Sequence, residues 1–138
     1  MKQHTTNYFN TLIEIAEDCP VETGEIPELK KDSKTIARLQ YELLAKHPYK
    51  YSSDDIVFQV YAQRNDITKS EYKAARELFF SKGQPCFRAS PLTKRYGFGV
   101  HADQNGRIAI YGADTNDYKQ LLKDESIKKV KAMRTSKK

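Results

Sequence analysis

Residues 95–112 read RYGFGVHADQNGRIAIYG, and the way they pair decides the fold. The dipeptide Asn105-Gly106 marks a β-hairpin. A two-residue loop would set Ala102 against Ala109 and His101 against Ile110, mixing apolar and polar groups on both faces. A three-residue loop, Gln104-Asn105-Gly106, separates them. It is a type I turn closed by a left-handed glycine, with Asp103 at its first position. This register pairs Asp103 with Arg107, Ala102 with Ile108, and Val100 with Ile110. One face then carries Tyr96, Phe98, Val100, Ala102, Ile108 and Ile110, a consistent core face. The other carries Arg95, Gly97, Gly99, His101, Asp103, Arg107 and Tyr111.

The second face offers two readings. Glycine inside a strand weakens it and often marks close approach of another backbone or a ligand. Gly97 and Gly99 would bare the backbone between the Arg95 guanidinium and the His101 imidazole, with the Tyr111 phenol alongside. Those groups can hold an anionic or polar small molecule. The structural alternative is a helix packed tightly over the glycines. Just upstream, Arg88, Ser90, Lys94 and Arg95 lie within RASPLTKR (88–95), a basic stretch able to bind phosphate or to face water. There is no Gly-rich phosphate loop leading into a helix, so the usual nucleotide-binding patterns are absent.

Working outward, residues 7–18 are rich in β-branched and aromatic types and predict a strand. Pro20, Gly24 and Pro27 make 20–33 a loop. Residues 34–46 predict a helix capped by Asp32 or Ser33, with Ile36, Leu39, Leu43 and Leu44 on one face; His47-Pro48 stops it. A turn follows over 48–55. Residues 56–62, IVFQVYA, predict a strand, with a helix capped by Ser53 as the competing reading. Thr68 and Glu71 form a capping box for a helix that runs to about Ser81, turns Tyr72, Ala75, Leu78 and Phe79 inward, and has Gly83 as its stop. Residues 86–90 are expected to be extended. After the hairpin, Asp114 or Thr115 caps a helix that buries Tyr118, Leu121 and Leu122, and the end frays into a basic tail. The order is β-α-β-α-β-β-α: a single two-layer α+β domain over 1–134, helices on a mostly antiparallel sheet, with a tail at 135–138.

Composition bounds the function classes. The chain has 138 residues, 38% hydrophobic and 30% charged, an ordinary globular balance. No apolar run is long enough to span a membrane, and the first residues lack a secretory pattern, so a cytoplasmic address is expected. The net charge of +6 is concentrated in residues 119–138, where eight Lys/Arg face two acids. That pattern fits a basic tail and argues against a nucleic-acid-binding face. Cys19 and Cys86 share no metal or redox spacing and are expected to be free thiols. Cys86 with His101 could form a nucleophile–base pair; an inert buried thiol is the plainer reading. His4, His47 and His101 show no metal-ligand spacing. The carboxylate pairs Glu17-Asp18 and Asp54-Asp55 suit capping or solvent as well as acid–base work.

The segment RASPLTKRYGFGVH resembles a family of small, uncharacterised bacterial proteins catalogued only as a domain of unknown function. The resemblance extends over His4-Thr5-Thr6-Asn7-Tyr8, Ala16-Glu17-Asp18-Cys19-Pro20, Pro48-Tyr49-Lys50-Tyr51 with Ser53-Asp54-Asp55, Phe80-Ser81-Lys82-Gly83-Gln84-Pro85-Cys86 and Met133-Arg134. Phe98 stands where the family usually has tryptophan. The resemblance implies one intact domain and assigns no reaction, cofactor or site. The residues therefore favour a binding module over an enzyme, with Arg95, His101 and Tyr111 as ligand-binding residues and Arg88 and Lys94 nearby. The competing functions are a Cys86/His101 enzyme and an interaction module working through a dimer interface or the basic tail.

Overall fold

The Asp103 carboxylate organises the hairpin by accepting from the backbone N–H groups of Asn105 and Arg107, each at 2.9 Å. Gly106 N–H donates to the Asp103 carbonyl at 3.1 Å, and Gly106 takes the left-handed φ of +79° that a side chain resists. The strands are β2 (Phe98–Ala102) and β3 (Ile108–Gly112), paired Ala102 to Ile108 and Val100 to Ile110 as the three-residue loop requires. This is seen in a computed structural model describing residues 3–28 and 34–135.

The first strand is shorter than the 7–18 expected. It is β1 (Thr11–Glu14), because Asn10 turns to a φ of +49° and its N–H goes to the Asp103 carbonyl. β1 lies antiparallel to β2 and parallel to a fourth strand, which we label β4 (Lys128–Lys131). The sequence predicted only a fraying element there. Pairing Val130 with Ile13 puts one apolar residue of the basic run on the core face and makes the strand. The sheet order is β3-β2-β1-β4.

Most helices cover the face that bears Ile13, Val100 and Ile108. Helix α1 (Ile36–Lys46) is capped by the Thr35 hydroxyl, which accepts from Arg38 N–H at 3.2 Å, and it stops at His47 before Pro48; Asp32 and Ser33 lie outside the described residues. Residues 56–62 are not a strand. They belong to helix α2 (Ser53–Arg64), opened by a capping box of Ser52 and Asp55. Two apolar stripes explain the strand-like pattern. Ile56 and Val60 enter the main core, while Phe58 and Ala62 enter an aromatic cluster with Tyr72, Phe79 and Phe80. Each pair is spaced i,i+4, and the two are offset by two residues, so together they alternate as a strand does.

The capping box of Thr68 and Glu71 forms as expected and leads into α3 (Tyr72–Phe79). Leu78 does not turn inward; it is 66% exposed. Residues 86–90 are not extended either. Phe87–Ala89 make one 3₁₀ turn, and Ser90 then caps the short helix α4 (Pro91–Lys94), with Pro91 at its first position. Phe87 and Leu92 are thereby fully buried, each contributing about 1.5–3 kcal/mol.

Helix α5 (Asn116–Lys123) lies on the opposite face of the sheet. The Thr115 hydroxyl caps it, accepting from Tyr118 N–H at 3.2 Å. Tyr118 packs with Leu12 and Ile127, Leu121 is half-buried, and Leu122 stays exposed. The α+β class and mostly antiparallel sheet are as the sequence predicts, with α5 as a single added helix on the second face. Thr135 N–H donates to the Asp18 carboxylate at 2.9 Å, and the rest of the basic tail, 136–138, lies outside the described residues. Among the described residues no helix is long and apolar enough to cross a membrane.

Candidate functional site

The glycine strip on the hairpin is covered. A methyl group on Gly99 would fall 2.3 Å from the Tyr118 ring, and one on Gly97 would fall 2.2 Å from the Thr23 carbonyl oxygen. Gly97 also needs its positive φ of +76°, which ends the alternation before β2 begins. The glycines therefore admit a helix and a loop, and no open strip of backbone runs from Arg95 to His101.

What that face does hold is a hydrogen-bonded set of three rings. The Tyr49 hydroxyl lies 2.7 Å from His101 Nδ1 and 2.7 Å from the Tyr111 hydroxyl. Gly99 pairs with Tyr111 and His101 with Ala109, which sets the imidazole and phenol on one face at adjacent strands. Tyr49 comes from outside the hairpin. Its segment extends the sheet edge, with Tyr49 N–H donating to the Ile108 carbonyl and Ile108 N–H to that of Tyr51, both at 2.9 Å. To reach the set Tyr49 adopts a φ of +59°, a strained value for an aromatic residue. Burial raises the Tyr49 phenol's pKa, assisted by the Tyr111 hydrogen bond, and lowers that of the His101 imidazole. Neutral His101 can accept at Nδ1 from the Tyr49 O–H. Asp103 and Asp124 act on His101, and Asp103 and Asp117 on Tyr49, so this end of the sheet has a negative field.

The other basic residues expected at this site lie elsewhere. Arg95 is exposed at the C-terminal end of α4, with the Tyr118-covered Gly99 between it and His101. Lys94 is in the last turn of α4. Arg88 donates through Nε to the Lys131 carbonyl at 2.7 Å, beside β4, whereas Tyr111 is on β3. Those strands are opposite edges of the sheet, three spacings of about 4.8 Å apart. The structure thus brings His101 and Tyr111 together, adds Tyr49, and does not join Arg88, Lys94 or Arg95 to them.

A second site has no counterpart in the sequence-based expectations. Between α1, α2 and residues 84–91 lies a cavity of about 340 Å³. Its walls are mainly apolar, with Val57, Val60, Phe79 and Pro91 among them. Ile36 and Tyr61 also line it, 43% and 38% exposed. Polar groups enter at a few points, among them Gln40, Arg64, Gln84, Cys86 and Ser90. The Ser90 hydroxyl donates to Gln40 Oε1 at 2.6 Å and accepts from Leu92 N–H at 3.1 Å. The sequence did carry a signal for Gln40. It sits four residues after Ile36 and four before Leu44, a polar residue on an apolar stripe.

Cys86 and His101 do not meet. The Cys86 thiol lies 3.5 Å from the Tyr8 hydroxyl, next to core residue Phe87, while His101 is on the opposite face of the sheet with Tyr49. A nucleophile–base pair of these two is excluded. Burial and the Cys86 contact raise the pKa of the Tyr8 phenol. The carboxylate pairs serve structure. Asp54 accepts from Thr5 and Thr6, and Asp55 from Ser52 N–H while pairing with Arg76 at 2.9 Å. Glu17 pairs with Lys131 at 3.1 Å. Among the described residues no three His, Cys, Asp or Glu side chains converge to hold a metal.

Comparison with known proteins places the chain without assigning a reaction. No curated protein and no solved structure matches it. Residues 3–138 match DUF6157, a family of unknown function, and the chain belongs to that family.

Proposed function

We propose that this protein is a small-molecule-binding module whose site is the cavity between α1, α2 and residues 84–91. The cavity itself carries the reading: it is of ligand size, mostly apolar and entered by a few polar groups, the usual composition of a small-molecule site. Partly exposed Ile36 and Tyr61 in its wall add apolar surface that a ligand would cover. This chemistry suits a ligand with an apolar body. The free thiols Cys19 and Cys86 support a reducing cytoplasm as the compartment.

The test is a thermal-shift screen with apolar and amphipathic small molecules, repeated on Val57→Trp, which fills the cavity from one wall. A ligand at 100 times its dissociation constant adds about 2.7 kcal/mol, or a shift of roughly 9 °C for a chain of this size. The expected result is stabilisation of the wild type that Val57→Trp abolishes. Stabilisation that survives Val57→Trp would place the site elsewhere.

A second reading puts a polar ligand on the outer hairpin face, and the Tyr49–His101–Tyr111 set favours it. The field of Asp103, Asp117 and Asp124 selects a neutral or cationic ligand there over an anion. A ligand-induced shift lost in His101→Ala and kept in Val57→Trp would assign binding to this face.

A further inference from the structure

The wall of the cavity contains a hydrogen-bond donor without a partner among the described residues. Gln40 as a residue is only 7% exposed. Its Oε1 is occupied by the Ser90 hydroxyl at 2.6 Å. The same hydroxyl accepts from Leu92 N–H at 3.1 Å, so Ser90 joins the start of α4 to Gln40. The Gln40 oxygen therefore faces Ser90, and the Nε2 group faces away from it. No described residue accepts from Nε2. No fully buried side-chain nitrogen or oxygen among the described residues lacks a hydrogen bond. Nε2 is accordingly reachable, and Gln40 lines the cavity.

We propose, resting on the cavity as the binding site, that its ligand is an apolar molecule bearing a hydrogen-bond acceptor, a carbonyl or carboxylate oxygen, that takes the Gln40 Nε2 proton. The apolar body lies against Val57, Val60 and Phe79, and the acceptor is held in the wall. A donor-only head group such as an ammonium meets a donor there and is rejected. A site with a fixed donor discriminates strongly against analogues that lack the matching group, because the site's own polar group is then stranded.

Four probes with the same phenyl-alkyl body separate the possibilities: n-butylbenzene, 4-phenyl-2-butanone, 4-phenylbutyrate and 4-phenylbutylamine. Their dissociation constants are measured by calorimetry on the intact protein. The ketone or the carboxylate is expected to bind at least tenfold tighter than both n-butylbenzene and the amine, and comparing the two tells a neutral from an ionised acceptor. Gln40→Glu keeps an oxygen for the Ser90 hydroxyl and replaces the donor by an acceptor; it should reverse the preference, weakening the ketone tenfold and favouring the amine. Equal affinity for all four probes in the wild type would overturn the acceptor assignment while the cavity stands as a binding site. Binding of none would overturn both. The wild-type series decides the matter even if Gln40→Glu fails to fold, and Gln40→Met gives a second variant in which the ketone's advantage over n-butylbenzene should vanish.

Discussion

Replacing Gly99 by alanine tests the packing of α5 on the sheet. The added methyl would stand 2.3 Å and 2.8 Å from two carbons of the Tyr118 ring and 3.2 Å from the Ile13 carbonyl oxygen. The ring has little room to yield. Tyr118 is buried, and its hydroxyl oxygen accepts from Ile15 N–H at 3.2 Å. Overpacking of this kind costs about 1–3 kcal/mol. Displacing the ring far enough to break the Ile15 bond adds about 1 kcal/mol. The expected destabilisation is therefore about 2–4 kcal/mol. With an unfolding entropy near 0.3 kcal/mol/K for a chain of this length, Tm should fall by roughly 7–14 °C. Urea unfolding followed by circular dichroism measures the free energy. The cause is isolated by repeating the substitution in Tyr118→Leu, where the clash is absent and Gly99→Ala should cost less than about 1 kcal/mol. An equal cost in both backgrounds, or a cost below about 0.5 kcal/mol in the wild type, would refute the account.

Two other expectations follow from the hydrogen-bonded and titrating groups. Burial holds the folded-state pKa of His101 below its ordinary value of 6.5, so the unfolded chain binds more protons in the interval between the two. Stability from this source is complete above the unfolded value and is lost as pH falls through the folded one; the stability difference between wild type and His101→Gln should shrink below pH 6.5, and a pH-independent difference would contradict it. Asp54 accepts from Thr6 N–H at 2.6 Å and from the hydroxyls of Thr5 and Thr6 at 2.7 Å. Asp54→Ala should cost about 2 kcal/mol and speed hydrogen exchange at the Thr6 amide; unchanged exchange would show that other contacts hold the segment.

The hairpin was legible to the residue because one carboxylate, one Asn-Gly and a strict apolar alternation all agree on a single register. Helices capped by Thr115 and by the Thr68–Glu71 box were legible for the same reason: their signals are local. Helix α2 was not, because its alternation arises from two stripes that meet different partners, and those partners are fixed only by the tertiary fold. β4 was hidden by its lysines, since only Val130 has to face the core. The candidate site divides in the same way. His101 and Tyr111 could be placed together from strand pairing, whereas Tyr49 joins them through a left-handed turn and an edge contact with Ile108. The cavity was invisible because its walls come from three separate segments, and Gln40, a polar residue on an apolar stripe, was not singled out.

The position of β1 in the sheet has a consequence for synthesis. Thr11 is bonded on one side to the strand containing Ala102 and on the other to the strand containing Lys128. Both neighbours are translated long after β1 has left the ribosome, so β1 emerges with two open edges and no strand to pair with. Local helices can form early, but the sheet must close late, through contacts that are slow because they are distant in sequence. During that interval Leu12 and Ile13 are unprotected. Until its own C-terminal third arrives, the nascent chain carries a four-residue strand, two of its residues apolar, with both edges unpaired.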